Sequence, residues 1–543
     1  MKRIGRKILF TMMLGGLLFA TGCQKKIAVQ NEYPSMLNVD TSTIDDNYRT
    51  YYEIFLYSFC DSDGDGIGDI NGLLSKMDYL NDNDPSTDTD LGITGIWLMP
   101  IMPSDTYHKY NVSDYYSIDP SYGTMDDFKL LIEECNKRNI KLMIDLVFNH
   151  TSNTHPWFQE AIQYLRGLED GEQPNVNDCK YIEYYNFEQD ATSPNYRKVD
   201  MTDWYYEAVF TDNMPDLNLD YPEVRKEIEQ IASYWIDLGV EGFRLDAAKE
   251  YFSGSQSKNI EVLNWFNEYV KSIDPDCYVV AEVWDSFGTI ASYYESGIDS
   301  VFNYALGNSD GKFATTVNNS GNNAGYKFAN NLKKIQDTFY SRNSNYIDAT
   351  FLSNHDNNRV SAYVSHDEDK IKLLGGMNLM MSGASFIYYG EELGMVGVGR
   401  DENKRMPMFW STTNLEQMTK GPENMEVQAQ VFPPEDEQTQ QEDSILNYYR
   451  RAIRLRNSIP EIARGKLEVM EGLDQDLTAV IKTYEDNSVI LIMNISAEEK
   501  IVSLPKSQYT YETIVGSLTT GYEQPVLREE MLTLPPYAIV VIK

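Results

Sequence analysis

Cysteine is scarce in this chain, with five in 543 residues, and four of them (Cys60, Cys135, Cys179 and Cys277) are scattered without CxxC spacing. That pattern gives no zinc signal and no disulfide framework. Positive charge is also short: 46 Lys and Arg stand against 83 Asp and Glu, a net charge of −37. Phosphate binding needs clustered cations, so nucleic acid is not an expected partner. Long apolar runs are missing too. The run Ile8 to Phe19 is too short to span a bilayer, and no other stretch suggests a transporter subunit. No internal repeat is visible. What is plentiful is tyrosine, 39 in all, whose flat faces and hydroxyls suit sugar rings.

The N-terminus "MKRIGRKILFTMMLGGLLFATGCQKK" has four cations, an apolar stretch and small residues before Cys23, the pattern of a secretory signal peptide. "ATGC" resembles a bacterial lipobox, with Ala20 where Leu is commoner, and implies a lipidated Cys23. The expected organisation is a signal peptide (1–22), a polar tether (23–46) and a catalytic unit that begins at 47. The expected location is the outer face of a bacterial cell membrane, held by a lipid, and the expected state is a monomer.

Eight short apolar runs follow: 52–59, 92–100, 140–148, 239–247, 277–284, 297–303, 346–353 and 383–390. Amphipathic stretches separate most of them, which predicts an α/β fold, a (β/α)₈ TIM barrel. Its first part is 47–150 and its second 216–464. Residues 151–215, rich in Tyr, Asn and Asp, are too long for a loop and predict an inserted B subdomain after strand 3. From 465 to 543 strands alternate without helices, predicting an antiparallel β-sandwich. The acidic, Gln-rich segment 412–442 predicts an exposed loop near the barrel mouth.

Carboxylates cluster where these runs end: Asp145 in "MIDLVFNH", Asp246 in "GFRLDAAKE", Glu282 in "VVAEVW" and Asp356 in "FLSNHDNNR". Arg244 and Asp246 are two apart in an apolar run, so on a strand they share a face, and an ion pair buried there costs desolvation. Two carboxyls ~5–5.5 Å apart are what a retaining glycosidase needs. The turn "DSDGDGIGD" (61–69), with alternating acids and permissive glycines, can surround a hard cation, although Gly72 at its twelfth position sets it apart from an EF-hand.

In this order, "DLVFNH", "GFRLDAAKE", "EVW" and "FLSNHD" resemble the four signature regions of the α-amylase superfamily of glycoside hydrolases. "GITGIWLMP", "MPDLN" (214–218) and "GASFIYYGEELGM" match as well, so the resemblance runs from about residue 47 to 543. It implies Asp246 as nucleophile, Glu282 as acid/base and Asp356 as the carboxylate that stabilises the distorted sugar, with Asp145 arranging the site. It implies sugar contacts from His108, Tyr110, His150, Arg244, Lys249 and His355. It also implies a calcium ion held by Asp61, Asp63, Asp65, the Ile67 carbonyl and Asp69. Arg244 is expected to hold Asp246 ionised, and burial with neighbouring negative charge to raise Glu282. Ala247 resembles α-1,4-acting members, and "MPDLN" an intermediate branch that includes lipoprotein α-amylases. Glu250 departs from the "AAKH" of many α-amylases. Asn111 stands where exo-acting members usually carry an Asp that binds the chain end, which implies endo attack.

The expected activity is therefore an endo-acting α-amylase on starch and maltodextrins. The alternatives are an exo-acting α-glucosidase, a maltogenic or neopullulanase-type enzyme, and a non-catalytic glycan-binding lipoprotein, which the intact acids argue against.

Overall fold

The computed structural model describes residues 40–169 and 171–543, so the signal peptide and Cys23 lie outside the described residues. The eight predicted runs each overlap a parallel strand: β1 (Thr50–Ile54), β2 (Gly95–Leu98), β3 (Lys141–Leu146), β4 (Gly242–Leu245), β5 (Tyr278–Ala281), β6 (Ser300–Val301), β7 (Ala349–Thr350) and β8 (Ala384–Tyr388). They pair in the order β7-β8-β1-β2-β3-β4-β5-β6, and a parallel bridge between Phe302 and Ala349 brings the two ends together. Every residue of these strands is buried, as expected where a barrel interior lies on one side and helices on the other.

Helices fill the intervals. Met125–Lys137 starts at a capping box made by Thr124 and Asp127. Pro222–Leu238 begins with proline and ends at Gly239, whose φ of 108° a side chain would strain. Observed strands are shorter than the apolar runs because ladder partners run out. The clearest case is "YEIFLYSF": pairing to β2 ends at Ile54, and Leu56–Phe59 closes a helical turn instead.

The interval after β3 folds as a helix (Pro156–Arg166) and a three-stranded antiparallel sheet of Phe187–Gln189, Trp204–Glu207 and Tyr196–Lys198. Its two ends meet at a bridge between His150 and Asp216. At the C-terminus a five-stranded and a three-stranded antiparallel sheet face each other. Alternate residues such as Leu477, Ala479, Ile490 and Ile492 close on Val502, Leu532 and Leu534 between them. The opposite face of the larger sheet, with Leu491, Met493 and Val541, joins the barrel's core.

The 412–442 segment departs from the predicted exposed loop. Its residues are of mixed exposure, Gln438 is buried, and backbone bonds fasten Gln417 to Asp61 and Lys420 to Gly66.

Candidate active site

The chemistry-bearing residues sit at the C-terminal rim of the barrel. Asp246 and Glu282 each follow their strand by one residue, so the ladder fixes their backbones while their side chains reach a cleft of about 580 Å³. Asp356 lines the same cleft, with His108, Tyr110, His150, Lys249 and His355.

Arg244 organises the floor. Its Nη1 donates to Asp246 Oδ1 at 2.6 Å and to both Asp145 oxygens at 2.9 and 3.0 Å, while Nη2 donates to Glu282 Oε2 at 2.7 Å. The side chain is 1% exposed, so Arg244 lies beneath the carboxylates instead of touching sugar, a correction to its expected role. One guanidinium serving three carboxyls also alters the predicted protonation. Burial raises Asp246 above the usual carboxylate range, and Arg244 only partly opposes that shift. Burial raises Glu282 as well, opposed by Arg244 and reinforced by Asp246 and Asp356. Burial lifts Asp145 to about 7. Asp246 and Glu282 thus both lie above the usual carboxylate range, with burial the larger cause and Arg244 opposing it in each.

The backbone is bent to serve this pair. Ala247, just after Asp246, has a φ of 50°, an uncommon conformation for a non-glycine residue. The turn aims the Ala247 amide at Glu282 Oε2, 3.1 Å away.

On the other wall, Asp356 accepts from Arg405 Nη2 at 2.8 Å and faces His355 Nε2 at 3.0 Å. Burial alone would raise it, but His355 and then Arg405 hold it far below the usual range, which favours its ionised form. Tyr110 stacks on His355, with centroids 5.5 Å apart, and donates its hydroxyl to Asp145. His150 and His108 are different: burial lowers them to about 4 and about 3, so both are neutral. The ring nitrogens of His150 lie 3.2 Å from the Tyr110 carbonyl and 3.3 Å from the Asn149 amide, which leaves the ring itself as cleft wall. Lys249 donates to Asp285 and to the Trp284 carbonyl.

Four residues of this site were not singled out from the sequence. Trp284 is 45% exposed at the cleft and stacks on Tyr304 at 5.2 Å, and Phe210 is 44% exposed beside His150. Both offer faces for sugar rings. Glu53 and Arg405 are buried and hold His355 and Asp356. Glu53 carried a usable signal, a lone acid inside an apolar strand. Asn111 disappoints its assignment: it is fully buried, its amide donates to the Asn213 carbonyl, and it does not line the cleft.

The 61–69 turn brings together three of its four expected carboxylate ligands. Carboxylate oxygens of Asp61, Asp63 and Asp65 lie within 4.8 Å of one another. Asp61 also accepts from the amides of Asp63, Gly64 and Gly66. Asp69 is outside the group: it caps the helix Ile70–Ser75 and binds Ser62.

The family described as "Alpha amylase, catalytic domain" matches residues 53–465. Alpha-amylase 3 of Dictyoglomus thermophilum is 36% identical over 91% of this chain and 92% of its own length. An oligo-1,6-glucosidase of Bacillus cereus is 30% identical over 91% and 98%. The solved structure of Eubacterium rectale Amy13B superposes with a TM-score of 0.89 at 41% identity, covering 94% of this chain and 99% of that one.

Proposed function

Because the chain belongs to the α-amylase family of glycoside hydrolases, we propose that it is an endo-acting α-amylase that cleaves internal α-1,4 bonds of starch and maltodextrins with retention. The observation that carries this reading is the grip of one guanidinium on both Asp246 and Glu282. Adjacent nitrogens of Arg244 hold the two carboxyls close, the arrangement that suits a covalent intermediate better than an intervening water. Glu282 gives its proton to the departing oxygen as Asp246 attacks the anomeric carbon. Water then adds, with Glu282 taking its proton, and Asp246 leaves. Asp356, held anionic, steadies the positive charge that develops on the sugar.

Endo attack is supported by the cleft and not by Asn111. Exposed Trp284 and Phe210 both border the carboxylates, and each offers a surface to a chain that continues past the cut bond. The oligo-1,6-glucosidase relative favours the runner-up, an exo-acting glucosidase. Amylose digestion separates them. The expected result is rapid loss of iodine staining relative to reducing ends, with maltose and longer products early; glucose alone, with polymer length nearly unchanged, would establish the exo enzyme.

Calcium at the 61–69 turn belongs to the same proposal. Three converging carboxylates fit a hard cation, which would neutralise their repulsion and brace the loop. Bound only to the folded protein at a hundredfold excess over its Kd, it would add about 3 kcal/mol to stability. Calcium is expected to raise the Tm of the wild type and to do so much less in Asp63→Ala; an equal rise in both would remove the metal from this turn. The N-terminal motif supports anchoring through Cys23, and Cys23→Ser is expected to appear in the aqueous phase after detergent partition. Wild type found there would refute the anchor.

A further inference from the structure

Glu53 is the one acid of β1, 1% exposed, and paired in the ladder with Trp97 of β2 and Tyr388 of β8. No mechanistic step above uses it. Its Oε1 lies 2.6 Å from His355 Nδ1. The other ring nitrogen, Nε2, lies 3.0 Å from Asp356 Oδ2 and 2.8 Å from the Tyr110 hydroxyl, which also reaches Asp145. Both ring nitrogens therefore face acceptors. A neutral imidazole carries one N–H and would turn a lone pair toward a carboxylate. The His355 side chain is 1% exposed, and Trp97 meets its ring edge-on with centroids 5.9 Å apart.

We propose that Glu53 is a positioning residue of the hydrolytic site: it keeps His355 an imidazolium, and His355 in turn fixes Asp356 in its place facing the sugar. The assignment rests on the reading of this cleft as a glycoside hydrolase site. The balance of neighbours is consistent with it. Burial would lower His355, but Asp356 and Glu53 lift it to about 9. The groups around it are Glu53 from β1, Tyr110 from the loop after β2, Asp145 from β3, Arg244 and Asp246 from β4, Asp356 from its own loop, and Arg405, which donates to the His355 carbonyl. The carboxylates in contact with the ring outweigh the cations, which touch its partners or its backbone. The sign follows: a His raised by its partners stays charged through neutral pH and discharges only as pH rises through the raised value.

With Glu53→Gln, the side chain keeps its shape and loses its charge, and His355 loses one of two anions. The test is nitrogen NMR of histidine-labelled protein, tractable because the chain has five histidines. In the wild type His355 is expected to remain an imidazolium to about pH 8, and in Glu53→Gln to titrate roughly one unit or more lower. On maltoheptaose, kcat should fall about tenfold or more while KM changes little, because the charge lost acts on the transition state. Glu53→Asp, which keeps the charge at a shorter reach, should restore part of both. A neutral His355 in the wild type at pH 7, or an unchanged titration in Glu53→Gln, would overturn the proposal; the wild-type titration decides it even if the variant does not fold. Because these titrations do not depend on turnover, a wild type that leaves every α-glucan intact would refute the hydrolase reading separately.

Discussion

Asp246→Asn is expected to fold as the wild type does and to lose hydrolysis of amylose by on the order of 10⁵-fold, the scale seen when an essential nucleophile is removed. The amide oxygen can still accept from Arg244 Nη1, so the guanidinium keeps a partner in place of the one at 2.6 Å. What disappears is the attacking carboxylate. Folding should not suffer, since burial already raises this carboxyl above its usual range and a neutral group there removes a desolvation cost. The Tm of the variant should equal or exceed that of the wild type. Near-normal turnover in protein free of wild-type contamination would end the assignment of Asp246, and a collapsed fold would show that the ion pair with Arg244 is structural.

Glu282→Gln is expected to lose roughly 10²- to 10⁴-fold on starch, as for removal of a general acid. Here the substrate decides the size of the loss. On an α-glucoside with a good leaving group, bond cleavage needs little help from a proton, so that step should be largely spared while starch hydrolysis is not. The pH dependence has a fixed sign. Burial, Asp246 and Asp356 raise Glu282 against the pull of Arg244, so the wild type should lose kcat/KM as pH rises through that raised value. Asp246 must be ionised, so activity should also fall as pH drops through its own value. In Glu282→Gln the alkaline fall should flatten. Equal losses on starch and on the activated glucoside, with the alkaline limb unchanged, would assign the acid to another residue.

The barrel was legible because its strands are buried on both faces and so appear as apolar runs. Charges within or just past those runs then stand out, which is how Arg244, Asp246 and Glu282 could be read. Strand ends were not legible, because they depend on where a neighbour's ladder stops; Ile54 ends β1 although the apolar run continues to Phe59. Arg405 was hidden for another reason. It lies 49 residues past the Asp356 it holds, on a segment with no strand periodicity, and only folding brings them together. Asp69 looks like a ligand by its spacing, but it directly precedes a helix and is used as its cap. Asn111 shows the limit of reading a loop by motif, since whether its side chain meets sugar or core depends on how the inserted subdomain packs, and Asn213 draws it inward.

Proton NMR of the first reducing ends released from maltoheptaose tests the central claim most directly, because the proposed double displacement, drawn from two carboxyls on one guanidinium, predicts retention. Signal from the α-anomer, appearing before mutarotation, is the result expected. Initial release of the β-anomer would mean that water attacks the sugar directly, and would contradict the roles given to both Asp246 and Glu282.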